Sequence, residues 1–439
     1  MDARGEAHIR IESWLGDALA AVEPAAAIRR NLQRNGDALT VGRWHAPMTG
    51  RVVVLSVGKA AVAMARGADE ALGGRVDAGL IVTKDGHADV SRIGSMPVLE
   101  AAHPVPDARS VEAGQAALSL VAGLGAGDLL LALISGGGSS LLEAPRPPVT
   151  LPDLATATDR LLRAGAPIHD LNALRTPLSL IKGGGLRLAA GPATVITLVL
   201  SDVLGNDPRV IASGPTVPGD ADATAGLGVL RRYGVLDRVP GTIIRALEAE
   251  TRDSGGATAL ISQDVVVVVG DNAAAVAAAD AAVRRDGLRS RVIWSERRGE
   301  ASLLAREWVA ACEAAAPEVD VLLGGGEATV TVAGDGVGGR NTEFALAAAL
   351  ALAERGERAW VVASLATDGQ DGPTDVAGAV ADATTVERAR AAGVSAADAL
   401  VRNDSLRVFE AAGGLVRPGP TGTNVNDLYV AVRVPLASR

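Results

Sequence analysis

Lysine is scarce in this chain: of 42 basic residues only three, Lys59, Lys84 and Lys182, are lysines. A chain that uses arginine for ordinary surface cations keeps lysine where a compact ammonium, rather than a planar fork, is wanted. Each of the three has a glycine within two positions, in SVGKAA, VTKDGH and SLIKGGGL. SVGKAA sets Gly58 and Lys59 directly between a strand-like run and a helical one, which ranks Lys59 first and Lys84 last. For each, a surface lysine beside a turn glycine is the plain alternative.

Two glycine runs extend this chemistry. LLALISGGGSSLL reads as a strand, then Ser135, Gly136, Gly137, Gly138, Ser139 and Ser140, then a helix start. Such a loop lets backbone N–H groups approach a phosphate or carboxylate, and its hydroxyls add donors. A tight turn with a serine N-cap would need fewer glycines. In LLGGGEATVTVAGDGVGGRNTEFALAAAL, Gly324, Gly325, Gly326 and Glu327 follow a strand, while Gly338, Gly339, Arg340 and Asn341 precede a helix. Arg340 is placed to fork a phosphate or carboxylate. Gly334, Gly336 and Gly339 match the dinucleotide pattern GxGxxG, yet no acidic strand end follows about 20 residues later, so the match reads as a decoy.

Acidic residues gather at two further junctions, Asp202, Asn206 and Asp207 in LVLSDVLGNDPRVIASGPT and Asp368, Asp371 and Asp375 in SLATDGQDGPTDVAG. Carboxylates beside anion loops suit Mg²⁺, with Asp202, Asp368 and Asp371 as its candidate ligands. They equally suit a general base that deprotonates a hydroxyl, and Asp-Gly is also ordinary turn chemistry. GxxxxGK[ST], HExxH and GxSxG are absent. The five histidines, His8, His45, His87, His103 and His169, are isolated in sequence, which argues against a histidine metal site or a triad. His103, in a loop after a strand, keeps a role open. The single cysteine, Cys312, excludes an internal disulfide and a cysteine zinc site and reads as a small buried hydrophobe.

The elements that must position these residues alternate. Strand-like runs fall at 51–57, 79–83, 128–134, 193–200, 264–270, 291–294, 320–324, 328–333, 360–366 and 427–432, several of them continuously apolar. Helical periodicity covers 6–34, 60–72, 107–122, 272–286 and 341–355. This alternation predicts βαβ units, largely parallel sheets and two α/β lobes, with a hinge near 240–260. The 52 glycines of 439 residues belong to loops, and with 2% aromatics the core falls to Ala, Val and Leu. A net charge of −9 argues against a nucleic-acid or anionic-membrane surface. No apolar run approaches a bilayer span and the start carries no signal-peptide core, so the expectation is a cytoplasmic protein.

The segments SVGKAA, ISGGGSSLL, LSLIKGGGL, LSDVLGNDPRVIASGPT, GGGEATVTVAGDGVGGRNTE, ATDGQDGPTDVAGA and GPTGTNVNDL, in that order from about 52 to 428, resemble the glycerate 2-kinase family, whose C-terminal part is the MOFRL domain. The resemblance implies ATP- and Mg²⁺-dependent phosphorylation of D-glycerate at its 2-hydroxyl. It implies a larger Rossmann-like N-terminal domain (1–250) and a smaller α/β C-terminal domain (251–439, MOFRL region about 320–433), with the active site in the cleft between them. The family's active-site lysine falls on Lys59 and its arginine on Arg340, with acidic residues on Asp202 and Asp368. Substrate or nucleotide binding is expected from Gly58, Ser135, Gly136, Gly137, Gly138, Ser139, Ser140, Lys182, Gly325, Gly326, Glu327 and Asn341. The expected partners are the small molecules D-glycerate and ATP, and a homodimer is compatible with the chain. Many relatives read GGRNQE where Thr342 stands here. The competing reading is an NAD(P)H-dependent hydroxypyruvate reductase, which only GxGxxG supports; a sugar-phosphate or nucleotide sensor would need anion donors but no base or metal.

Overall fold

The apolar runs VVVLSV and LLLALI become strands Val52–Val57 and Leu129–Ile134, buried at every position. Strands covered on both faces need apolar side chains on both, hence the unbroken Val and Leu. The structure, a computed structural model, describes residues 3–219, 222–253 and 264–435. It divides into two units, Pro24–Val269 and Met1–Glu23 with Gly270–Arg439. The expected boundary at 250/251 therefore moves to 269/270, and the N-terminal helix Ala3–Ala21 joins the C-terminal unit. There Trp14 Nε1 donates to Asp286 at 2.9 Å and Arg285 pairs with Asp17 at 2.7 Å. The helix expected over 6–34 breaks ahead of Pro24. A second helix, Pro24–Asn31, leads into a three-stranded antiparallel sheet over 32–47 that the periodicity did not reveal. Of the hinge expected near 240–260, residues 241–253 are helix and 254–260 lie outside the described residues.

In the Pro24–Val269 unit a seven-stranded sheet runs in the order Val265–Gly270, Thr194–Leu200, Leu129–Ile134, Val52–Val57, Ala78–Lys84, Met96–Ala101, Arg92–Ile93. Its five central strands are mutually parallel. From Val52–Val57 the chain moves to one side of the sheet, and from Leu129–Ile134 it moves to the other. The crevice between their C-terminal ends is the topological switch point, where open α/β sheets bind ligands.

The second unit carries a six-stranded sheet in the order Ser290–Glu300, Val321–Thr329, Asp427–Arg433, Trp360–Ala366, Gly378–Ala381, Leu415–Val416. Only its first pair is parallel, because Asp427–Arg433 returns antiparallel between two earlier strands. The runs expected at 320–324 and 328–333 are one strand ending at Thr329. The few aromatics concentrate here: Trp308, Phe344, Trp360 and Tyr429 share one core, with Trp294 packed on it. Cys312 is buried in that core, its thiol pushed up by desolvation. No helix among the described residues is long and apolar enough to cross a membrane.

Candidate active site

At the switch point the two strand-end loops interlock. Lys59 N–H donates to Gly136 O at 2.9 Å, and Ala60 N–H donates to Ser135 Oγ at 3.1 Å. Gly58 has φ +125°, and a Cβ there would lie 2.2 Å from Ser135 Oγ, so neither conformation nor space admits a side chain. Gly58 and Ser135 thus build the loop rather than line it; the buried Ser135 hydroxyl is occupied by the backbone.

Titratable side chains close over the next residues of the loop. Asp202, just beyond strand Thr194–Leu200, packs its carboxylate on Gly136, where a Cβ would stand 1.9 Å from Oδ2. Over Gly137 lie the imidazole of His103 and the stem of Lys59, 3.0 Å and 3.4 Å from a Cβ built there. Ser139 Oγ meets Ser213 Oγ at 2.8 Å, and Ser140 turns inward, donating to Gly137 O. Ala212 and Ser213 hold φ of +51° and +60°, and two successive non-glycine residues in this strained region beside a glycine loop are a mark of functional geometry.

Charge is arranged around the same loop. Burial pushes the Asp202 carboxyl above the usual carboxylate range, and the Lys59 ammonium offsets that only in part. Burial, reinforced by Lys59, Lys84 and His87, lowers the His103 imidazole to about 4, so it is neutral at neutral pH. Lys59 forms no ion pair among the described residues, and the Asp202 carboxylate takes no hydrogen bond from another described residue. A cation and a carboxylate left uncommitted by the fold are available to a ligand. Sequence reasoning ranked Lys84 last and left His103 open; lysine scarcity and the position of AAHPVP past a strand were the signals.

Lys182 is a correction. Its ammonium is 1% exposed and sits 2.6 Å from Glu143, which also accepts from Ser179 Oγ. A fully buried pair cannot reach a ligand, so its role is internal.

The second unit holds Arg340 at the start of helix Arg340–Arg355. Its Nε and Nη2 grip the fully buried Asp427 at 2.8 and 2.9 Å, with Nη1 3.8 Å from Glu327. The fork is therefore turned onto Asp427, and Nη1 is the nitrogen left for an outside anion. Asp427 also accepts from Asn341 Nδ2 and Ala328 N–H. Asn272 fixes the approach to it by donating to the carbonyls of Val425 and Asp427 at 2.8 and 3.0 Å. Neither residue was singled out from sequence, although Asp427 lies in the GPTGTNVNDL segment.

Three further expectations are corrected here. Gly325, Gly326 and Glu327 lie inside strand Val321–Thr329 rather than in an anion loop. A Cβ on Gly325 would be 1.8 Å from Asn272 Oδ1, and one on Gly326 would be 2.1 Å from Arg297 O; these glycines admit close packing. Asn341 is buried, its amide donating to Asp371 and Asp427 and accepting from Ser364 Oγ at 2.6 Å, which leaves nothing for a ligand. Asp371 has both oxygens taken by the Asn341 and Thr342 N–H groups and the Thr342 hydroxyl, so it caps the helix and is unsuited to a metal. Of the GxGxxG glycines, Gly334 and Gly336 press on Arg402 and Asp404 and Gly339 presses on Asp371, a packing role consistent with the decoy reading.

Among the described residues no three His, Cys, Asp or Glu side chains gather as a metal cluster. Mg²⁺ asks less of a protein, one or two carboxylates with waters and phosphate oxygens. Asp202 meets that demand, as does Asp368, which uses one oxygen on Gln370 N–H and keeps the other.

Comparison with known proteins bears on this arrangement. Residues 10–248 match the model of a domain of unknown function (DUF4147), and residues 320–427 match the MOFRL family. A D-glycerate 2-kinase of Thermotoga maritima is 38% identical over 88% of this chain and 91% of its own. A protein of Agrobacterium vitis, provisionally named a hydroxypyruvate reductase, is also 38% identical, over 94% of this chain and 91% of its own. The crystal structure of a glycerate kinase from Thermotoga maritima superposes with a TM-score of 0.87 at 34% identity, covering 98% of this chain and 100% of that one.

Proposed function

We propose that this chain, which belongs to the glycerate 2-kinase family, phosphorylates D-glycerate at its 2-hydroxyl with ATP, giving 2-phosphoglycerate and ADP. The observation that carries the reading is the meeting of Lys59, Asp202 and His103 on the Gly136–Gly137 backbone at the switch point. Phosphoryl transfer asks the protein chiefly for positioning and charge neutralisation. The Lys59 ammonium, without an ion pair among the described residues, neutralises charge on the transferred phosphoryl. Asp202, made more basic by burial, accepts the 2-hydroxyl proton as that oxygen attacks the terminal phosphorus and the bond to ADP breaks. His103 remains neutral and offers a hydrogen bond without adding charge. Arg340 keeps Nη1 for an anionic oxygen while Asp427 fixes its plane. In the second unit Asp368 keeps one carboxylate oxygen without a hydrogen bond among the described residues, which would suit Mg²⁺. When bound, that ion would offset phosphate charge.

The test is a coupled assay of the purified protein with D-glycerate, Mg²⁺ and ATP, with and without enolase in the coupling system. ADP release with an enolase-dependent signal, without added mutase, identifies 2-phosphoglycerate. ADP without that signal means attack at the 3-hydroxyl or another route of ATP turnover, and overturns 2-phosphoglycerate as the product. Hydroxypyruvate-dependent loss of NADH, with no ADP formed, would replace the kinase reading by the reductase.

A further inference from the structure

Arg175 ends helix Ile168–Arg175, and its side chain is only 16% exposed. A guanidinium has five N–H donors. Among the described residues they find one long contact to Ser139 O, at 3.5 Å, and a 3.9 Å approach to Glu143 Oε2. Glu143 is already occupied: it accepts from Lys182 Nζ at 2.6 Å, Ser179 Oγ at 2.8 Å and Ala144 N–H at 3.1 Å. Lys182 and Glu143 cancel each other wherever their shared proton sits, so the charge on Arg175 is left over. In the same unit Arg187, 2% exposed, shows what a satisfied buried guanidinium looks like, with Asp264 at 2.6 Å and the carbonyls of Gly191 and Ala193 at 3.0 and 3.2 Å. A nearly buried charge without its partners is costly unless something outside the chain completes it.

The place where it is left over is specific. Ser139, whose carbonyl Arg175 touches, is three residues past Gly136, on which Asp202 packs, and two past Gly137, on which Lys59 and His103 pack. The Ser139 and Ser213 hydroxyls share one hydrogen bond at 2.8 Å, and the one that accepts in it keeps its own proton to donate outward. The loop thus presents, in order, a proton acceptor, a compact cation and a guanidinium fork.

We infer that Arg175, with the Ser139 and Ser213 hydroxyls, binds the carboxylate of the acceptor substrate. This rests on the reading above, that the acceptor is a 2-hydroxy acid. In such an acid the carboxylate and the reacting hydroxyl sit on adjacent carbons, so their binding groups must lie close together; Asp202 packs on Gly136 and Arg175 reaches Ser139 O, three residues further along the same loop. A planar carboxylate matches the fork of an arginine, whereas a point-charge ammonium such as Lys59 suits a phosphoryl group.

Arg175→Gln and Arg175→Lys test the assignment in steady-state kinetics with D-glycerate and ATP varied separately. The KM for D-glycerate is expected to rise about 30-fold in the glutamine variant, the loss of a charged hydrogen bond. Lysine should recover part of it, and the KM for ATP should stay within about twofold. A second measurement is the rise in Tm that D-glycerate gives without nucleotide; it should vanish in the glutamine variant and return in part with lysine, which also shows that both variants fold. An unchanged KM for D-glycerate, or a rise confined to ATP, which would put Arg175 on the donor phosphates, overturns the inference. A wild-type protein inactive on D-glycerate defeats the functional reading instead. Arg175 is then judged by the Tm shift that D-glycerate gives, and no difference between wild type and Arg175→Gln overturns it.

Discussion

The runs Gly136–Gly138 and Gly324–Gly326 look alike in sequence, three glycines after an apolar strand, yet they do opposite work. The first leaves its strand at the switch point, and Asp202, His103 and Lys59 close over its bare backbone. The second never leaves the strand; Trp294, Trp308, Asn272 and the Arg297 backbone occupy the space its missing side chains would fill. The two cations nearby differ in the same way, Lys59 without an ion pair among the described residues and Arg340 locked on a buried carboxylate. A glycine run therefore marks a close approach, and only the approaching group says whether that approach serves a ligand or the core.

The largest expected effect compares those cations. Lys59→Ala should lower kcat about 10³-fold, because it removes transition-state charge stabilisation, with an unchanged urea midpoint. Arg340→Ala should lower activity and also cost about 3 kcal/mol of stability, since Asp427 would be left buried and unpaired. Equal losses of stability in both variants would erase the distinction.

Next comes the pair of glycines. Gly136→Ala puts a methyl 1.9 Å from Asp202 Oδ2, and the half-buried carboxylate can swing away. Activity should fall about 10²-fold, with under about 1 kcal/mol of destabilisation. Gly325→Ala puts a methyl 1.8 Å from Asn272 Oδ1 inside the sheet. It should cost about 3 kcal/mol of stability while the folded fraction keeps most of its turnover. Urea titration and kcat on the same samples decide; a stable, inactive Gly325→Ala would restore that run as a ligand loop.

The smallest effect concerns pH. With the folded His103 lowered to about 4 from its ordinary 6.5, the unfolded chain binds the extra proton between those values. This contribution to stability is full above pH 6.5 and is lost as pH falls toward 4. His103→Gln should make the urea midpoint less sensitive to pH across that window, by under about 1 kcal/mol for a half-exposed group. An unchanged pH profile would mean that the imidazole is not held neutral.

Much of this was legible beforehand. Strand periodicity located the core strands because burial on both faces demands apolar residues at every position, and it missed the sheet over 32–47 because short, partly exposed strands carry no such pattern. Lysine scarcity singles out Lys59 for a chemical reason, yet the same reasoning raises Lys182, whose glycines and charge look identical until Glu143 is seen 39 residues away. Asp371 failed as a metal ligand for a similar reason: whether its carboxylate is free depends on a helix start 30 residues upstream in sequence. Arg175 was invisible, since nothing local marks a guanidinium as lacking partners.

The sequence by itself determined the alternation of strands and helices, the positions of the glycine junctions and, through the ordered motifs, the family. Those properties are local, fixed by side-chain volume, polarity and backbone freedom over a few residues. The tertiary structure decided which glycine junctions keep a bare backbone at a strand end and, among the described residues, which carboxylates stay uncommitted and which cations lack a partner. Each of those is a balance of charge and hydrogen bonds among residues distant in the chain, and only the fold brings both sides of it together.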